Sequence, residues 1–392
     1  MAKTICVFTA TRAEYGLLSA LMGAIMDHPD LKLKTLVSGT HLSEDFGSTY
    51  QEIQKDGFLI DHKVEIPLNT DTGVGVSRSI GVAVEEYAKV LSREPPDVLL
   101  VLGDRYEALA VVIAAATLQI PVAHLHGGEL TRGALDEYFR HAITKMSHWH
   151  FTATEEYRKR VIQLGEEPQQ VFNVGALGVE NIKNLTLLSK AELEESLDFK
   201  FKKRNLLVTY HPETLGKGSV KQQVEALLEA LSRQEDAHIV FSKANADKGG
   251  QVVNAALSEF VRKCPSNTSL FSSLGQSRYL SMMQYADAMV GNSSSGIIEA
   301  ASFKLPVVNI GSRQDGRIKP LNVIDTPSNT ADIAEAIRKA LSREFKDSLA
   351  GITNPYGDGE TSGKIVSILA DANPDDVLIK NFYDMPINGG AY

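Results

Sequence analysis

The stretch "HLHGGELTRGALDEYFRH", residues 124–141, crowds His124, His126, Glu129, Asp136, Glu137, Arg140 and His141 around a pair of glycines. Carboxylates and imidazoles can trade protons near neutral pH, and a guanidinium can hold an anion. Just upstream, "GDRYEA" (103–108) sets Asp104 beside Arg105. The plain alternative for Asp104 is a cap on the helix that follows. His124 and His126, one residue apart on a strand, would share a face, a geometry that suits a metal. No cysteine or third histidine at ligand spacing accompanies them, so no metal is expected.

A second group of residues suits phosphate. "VGNSSSGIIEAA" (290–301) runs an apolar strand into Ser293, Ser294 and Ser295, then Gly296 and a helical pattern. A helix start carries unpaired N–H groups and partial positive charge, to which hydroxyls add donors, and together they would hold a phosphate or diphosphate. Glu299 follows where a carboxylate could accept from ribose hydroxyls. A serine-capped helix without a ligand explains the same residues equally well. "YHPET" (210–214) contributes His211 and Glu213, with His211 either a phosphate donor or a turn residue. "NIGSRQDGRIKP" (309–320) adds Arg313 and Arg317. At the other end, "FTATRAEYGLLSAL" (8–21) occupies the first strand-to-helix turn, where nucleotide-binding proteins often carry G-x-G-x-x-G. Thr9, Thr11, Arg12 and Glu14 stand there with Gly16 as the only glycine. Arg12 is read as supplying by side chain the anion contact that a glycine loop supplies by backbone.

Such residues need elements that bring them together. Apolar runs at 4–9, 33–39, 97–104, 121–128, 148–154 and 170–176 alternate with helical patterns such as 76–94 and 106–119. The pattern restarts with strands at 205–214, 237–243, 268–273, 287–296 and 305–311 and helices at 219–234 and 331–345. This alternation predicts an α/β protein of two Rossmann-like, doubly wound halves with parallel sheets. The junction is placed at 178, giving domains 1–178 and 179–370, with the tail 371–392 packing back on the first and "DDVLIKNFYDMP" (375–386) forming a last helix. In such sheets ligands lie outside the carboxyl ends of the strands. Arg12, Arg105 and Arg313 all fall there, around one inter-domain cleft.

The totals fit this reading. At 392 residues the chain exceeds the roughly 250–300 at which single cores stop growing. A composition of 43% hydrophobic and 23% charged residues is that of a globular protein. The net charge of −9 argues against a protein that coats nucleic acid or an anionic membrane. Two cysteines, Cys6 and Cys264, form no C-x-x-C pair, so a zinc site or disulfide framework is not expected. No window approaches about 20 apolar residues and "MAKTICVF" lacks a signal-peptide core, so a cytoplasmic protein is expected.

Taken in order, "TRAEYG", "VLGDRYEA", "HGGE" with "DE", "RH" and "ITK", "HPET", "GNSSSGIIEA" and "GSRQ" resemble the hydrolysing UDP-N-acetylglucosamine 2-epimerases of bacterial sialic-acid synthesis. The resemblance runs from the first strand to residue 320, and "NFYDMP" near the end also fits. It implies a glycosyltransferase-B-like fold with the active site in the inter-domain cleft and UDP held mainly by the second half. Ser293, Ser294 and Glu299 would bind diphosphate and ribose. His211 and Arg313 would contact the nucleotide, with Arg12 and Arg105 reaching from the first half. Asp104 and Asp136 fall where the family has acidic catalytic residues, and Arg140 and His141 lie close by. Many relatives read H-x-E-G-G-E where this chain has His126 in place of the glutamate, which leaves the division of roles between His126 and Asp136 open.

The reaction so implied removes UDP by elimination across carbons 1 and 2, giving a 2-acetamidoglucal. Hydration with a proton returned to the opposite face of carbon 2 gives N-acetylmannosamine and UDP. No nicotinamide, other cofactor or catalytic metal is expected. The partners expected are a UDP-sugar substrate and further copies of the chain, as a homodimer or homotetramer. The same reaction on UDP-N,N′-diacetylbacillosamine is the first alternative. A retaining glycosyltransferase, a non-hydrolysing epimerase and a sugar-nucleotide-binding regulator without catalysis are the others.

Overall fold

The structure, a computed structural model, describes residues 2–68, 72–131, 135–212, 219–244 and 249–386. The chain divides into two compact units. The first takes in Met1–Glu129, Leu135–Asn181 and Tyr356–Tyr392; the second takes in Ile182–Pro355 with Leu130–Ala134. The chain therefore returns to the first unit at Tyr356, earlier than the expected 371, and the helix Thr361–Asp371 belongs to that unit.

The first unit is built on β1 (Lys3–Thr9), β2 (Leu31–Ser38), β3 (His62–Val64), β4 (Val98–Leu102), β5 (Val122–Leu125), β6 (Trp149–Thr152) and β7 (Val171–Asn173). They form one parallel sheet in the order β3-β2-β1-β4-β5-β6-β7. All five residues of β4, "VLLVL", are buried, as a strand covered by helices on both faces requires. Ile5, Val7 and Leu100 pack to one side with Leu18, Leu21 and Met22 of the helix Arg12–Asp27 and with Ile365 and Leu369. Cys6, Phe8, Leu99 and Val101 pack to the other, with Tyr87 of the helix Gly73–Arg93 and Val111 of the helix Tyr106–Thr117. Each such side chain contributes about 1.5–3 kcal/mol by leaving water. Burial pushes the Cys6 thiol up to about 12, so it acts as a small hydrophobe.

The second unit repeats the plan with β8 (Arg204–Thr209), β9 (Ala237–Ser242), β10 (Thr268–Phe271), β11 (Ala288–Gly291), β12 (Val307–Ile310) and β13 (Val323–Thr326). Its parallel order is β10-β9-β8-β11-β12-β13. Leu206, Val208 and Tyr210 face one core layer, while Leu207 and Met289 face the other.

In each sheet the strand that comes first in the chain lies beside one from later in it: β1 beside β4, and β8 beside β11. These are the switch points where the connections leave in opposite directions and open a crevice beyond the strand ends. The chain just beyond β1 and β4 is Ala10–Glu14 and Gly103–Arg105; beyond β8 and β11 it is Tyr210–His211 and Asn292–Ser295.

The tail differs from expectation. Residues 375–386 form no helix; a short 3₁₀ turn, Pro374–Val377, is followed by irregular chain. Its side chains serve tertiary contacts instead. Lys380 donates to Glu166 at 2.7 Å and to the carbonyls of Lys145 and Ser147. Glu166 also accepts from Lys145 at 2.6 Å and meets His150 Nε2 at 2.9 Å. Burial pushes the Glu166 carboxyl up, but these partners outweigh it and bring it down to about 2. His150 is itself pushed down by burial, so at neutral pH it pairs as a neutral donor and the lysines supply the charge.

Candidate active site

Arg140 organises the first unit's cluster. It sits in the first turns of the helix Asp136–Met146 and is only 1% exposed. One Nη donates to Asp104 Oδ2; the other donates to Glu137 Oε2 at 2.8 Å and to the carbonyl of Glu129 at 2.9 Å. A buried guanidinium needs such partners, and its planar fork can serve several at once. Asp136 lies at the start of the same helix. Burial, then the charge of Asp104, pushes its carboxyl up to about 6, against the pull of Arg105 and Arg140. It is poised to exchange protons near neutral pH.

Arg105 sits where the helix after β4 begins, but its side chain makes no cap. Its Nε and Nη2 grip the fully buried Glu107 at 3.1 and 3.0 Å. Burial works against its charge; Glu107 and Glu14 more than offset this and hold its pKa above the usual value. Asp104 caps no helix either, being bound to Arg140.

The two histidines part company. β5 ends at Leu125, and His126 takes a left-handed backbone, φ +65°. His124 is fully buried, with Nε2 against the carbonyl of Gly103 at 2.8 Å and Nδ1 against Thr144 Oγ1 at 3.2 Å. Burial pushes its pKa down to about 3, so it is a neutral structural residue. His126 Nδ1 lies 2.9 Å from Glu129 Oε1, and its Nε2 is buried with no hydrogen-bond partner among the described residues. The shared face expected of the pair is thus overturned, because the strand ends at Leu125 and not at the expected 128. His141 Nε2 meets Glu137 Oε1 at 3.1 Å.

The turn after β1 also differs from expectation. Thr11 and Glu14 form a capping box: Glu14 Oε2 accepts from the backbone N–H of Ala10 at 2.8 Å and of Thr11 at 3.1 Å. Those donors are already engaged by this carboxylate, which burial pushes up to about 7. Arg12 is half exposed and donates from Nε to Glu52 at 2.9 Å. The structure does not bring it to the Asp104–Arg140 cluster. Thr9 Oγ1 lies 3.0 Å from His41 Nε2.

In the second unit the hub is Asn292, buried at the end of β11. Its side chain exchanges two bonds with the backbone of His211, at 2.7 and 2.9 Å, locking the ends of β8 and β11 together. Its carbonyl accepts from Arg313 Nη1 at 3.0 Å and Gln314 Nε2 at 2.8 Å. His211 is thereby brought beside Arg313; burial, then that guanidinium, pushes its pKa down to about 4. Ser293 caps the short helix Ser294–Ile298, and its Oγ lies 2.8 Å from Ser295 Oγ. Tyr279 OH joins them at 3.2 Å from Ser295 Oγ. Glu299 closes that helix. Gly291, at φ +141°, passes so close to β8 that a Cβ there would run into the Thr209 carbonyl. A hollow of about 520 Å³ opens beside Gly311, Ser312, Asp325 and Thr326, at the ends of β12 and β13. Glu213 lies outside the described residues.

A family model described as UDP-N-acetylglucosamine 2-epimerase matches residues 23–370. This chain belongs to that family. It is 43% identical over 384 residues to the GDP/UDP-N,N'-diacetylbacillosamine 2-epimerase (hydrolyzing) of Campylobacter jejuni, covering 98% of this chain and 99% of the relative. It is 38% identical over 389 residues to polysialic acid biosynthesis protein P7 of Escherichia coli, covering 98% of each. Among solved structures, that of the Methanocaldococcus jannaschii UDP-GlcNAc 2-epimerase in complex with UDP-GlcNAc and UDP shares the fold. Its TM-score is 0.76 at 22% identity, covering 94% of this chain and 100% of the other.

Three further residues hold these clusters together. Glu107 anchors Arg105 two positions on, and the Arg-x-Glu spacing at the start of a helix was the available signal. Asn292 was visible only as the residue between a strand-end glycine and the serines. Tyr279 carries no local signal, since its partners Thr209 and Ser295 are 70 and 16 residues away. Among the described residues, no helix is long and apolar enough to cross a membrane, and no group of three or more His, Cys, Asp or Glu is placed to hold a metal ion.

Proposed function

We propose that this chain is a hydrolysing 2-epimerase acting on a UDP-linked 2-acetamido sugar. The observation that carries the reading is Asp136, a carboxyl with a pKa of about 6 set among Asp104, Arg105 and Arg140. With His126 it supplies two proton-transfer groups for one carbon. One takes the carbon 2 proton as UDP departs, and the other returns a proton to the opposite face during hydration. Asp104, fixed by Arg140, faces the cationic character that develops at carbon 1. The reaction moves protons, water and a leaving group, and the sugar is neither oxidised nor reduced overall.

The second unit holds the nucleotide in this reading. His211, neutral and beside Arg313, contacts the diphosphate together with Ser293 and Ser294, while Glu299 accepts from the ribose hydroxyls.

For the sugar, UDP-N,N'-diacetylbacillosamine is the first substrate, on the strength of the Campylobacter jejuni relative's name at 43% identity over nearly the whole chain. UDP-N-acetylglucosamine, giving N-acetylmannosamine, is the second, favoured by the description of the family model. The test is incubation with each nucleotide sugar and identification of the free sugar by NMR. Release of UDP with the 2-epimer supports the reading, and the substrate is the one with the higher kcat/KM. A free sugar that keeps its carbon 2 configuration, or no turnover of either, overturns it.

A further inference from the structure

We propose that Glu129 is the positioning residue of His126, and that the two act as a carboxylate–imidazole dyad in proton transfer at carbon 2. This rests on the reading of His126 as a proton carrier. His126 holds a left-handed backbone, a conformation that crowds any residue with a Cβ. Its N–H is nonetheless pinned to the carbonyl of Phe151 on β6 at 2.9 Å. The chain then doubles back through Gly127 and Gly128. A Cβ on Gly127 would press against His124 and Thr144, and Gly128, at φ +78°, lies against the Tyr157 carbonyl. Only a turn this tight returns Glu129 Oε1 to within 2.9 Å of His126 Nδ1.

Glu129 is just 4% exposed, and its carbonyl is held by Arg140, the residue that also holds Asp104. Dyad and carboxylate cluster are therefore tied to one guanidinium. An ionised carboxylate only accepts, so Nδ1 must donate and the neutral ring keeps its lone pair on Nε2. When the carbon 2–hydrogen bond breaks, Nε2 takes the proton. The released pair forms the double bond to carbon 1, and UDP leaves with the electrons of the carbon 1–oxygen bond. The ring becomes an imidazolium whose charge Glu129 offsets. An amide at position 129 would satisfy the same hydrogen bond without burying a charge; the charge is what the proton transfer uses.

The experiment compares wild type, Glu129→Gln and Glu129→Leu in two readouts. The first is the imidazole ¹⁵N spectrum, with the His126 signals assigned by their loss in His126→Gln. Wild type should show Nδ1 protonated and Nε2 unprotonated, and Glu129→Leu should lose that preference. The second is steady-state turnover, in which kcat should fall about 10- to 100-fold in both variants while KM stays within about threefold. Glu129→Gln should retain more activity than Glu129→Leu, because it keeps the hydrogen bond. If Glu129→Leu does not fold, wild type and Glu129→Gln decide. Full kcat in Glu129→Gln, or a wild-type ring protonated at Nε2 and not at Nδ1, overturns the dyad while the reaction itself stands. No turnover by wild type overturns both.

Discussion

Asp136 should destabilise the folded protein at neutral pH, and Asp136→Asn should show it. Its carboxyl titrates at about 6 in the fold, against 3.8 for a solvated aspartate. The folded chain therefore binds a proton more readily than the unfolded one. This contribution is fully present below pH 3.8 and is lost as pH rises through about 6. At about 1.4 kcal/mol per pKa unit, ionising Asp136 costs the fold about 3 kcal/mol at pH 7.5. At pH 4.5 most of the folded carboxyl is protonated already, and the cost is about 1 kcal/mol. Asparagine has the same shape and no charge. Urea unfolding should thus find Asp136→Asn more stable than wild type by about 2–3 kcal/mol at pH 7.5 and by about 1 kcal/mol at pH 4.5. The same variant should lose turnover about 10²- to 10⁴-fold, the worth of a proton-transfer group. A variant no more stable than wild type at pH 7.5, or one gaining more at pH 4.5, would refute the reasoning.

Three other substitutions test separate parts of the structure. Gly291→Ala should cost more than about 3 kcal/mol, read as loss of soluble protein or a lowered Tm, because its Cβ meets the Thr209 carbonyl at a positive φ. Lys380→Met should cost about 2–4 kcal/mol at pH 7 by removing a partner of the buried Glu166. That loss should shrink in acid, since stability from a carboxyl depressed to about 2 is present above about pH 4.5 and disappears as pH falls through about 2. Arg313→Ala should weaken UDP binding about 10- to 100-fold by calorimetry, the worth of one charge-assisted contact, with an unchanged Tm counting against a merely structural role.

The architecture was legible because both sheets are covered on both faces. A strand such as β4, "VLLVL", then reads as an unbroken apolar run, and amphipathic stretches between the strands read as helices. β3 and β13 were not legible: both are edge strands, "HKV" and "VIDT", with a single buried residue each, so neither shows an apolar run. The tail's apolar spacing suggested a helix, yet Lys380 and Phe382 are used one by one, Lys380 on Glu166 and Phe382 over Gly165. Candidate site residues were legible where they follow strands, as Asp104, Arg105, His211 and Ser293 do. Their pairings were not. Asp104 lies 36 residues from Arg140, and Arg12 lies 40 from the Glu52 that holds it. Nor could the sequence show that β5 ends before His126, which separates the fully buried His124 from its neighbour.

The central claim is that the carbon 2 proton is removed and replaced during the reaction. Proton NMR of the purified protein turning over its UDP-sugar in D₂O tests it directly. The expected product is a free 2-epimer carrying one deuterium at carbon 2 in every molecule, together with UDP. A released sugar that keeps its original hydrogen at carbon 2 would contradict it.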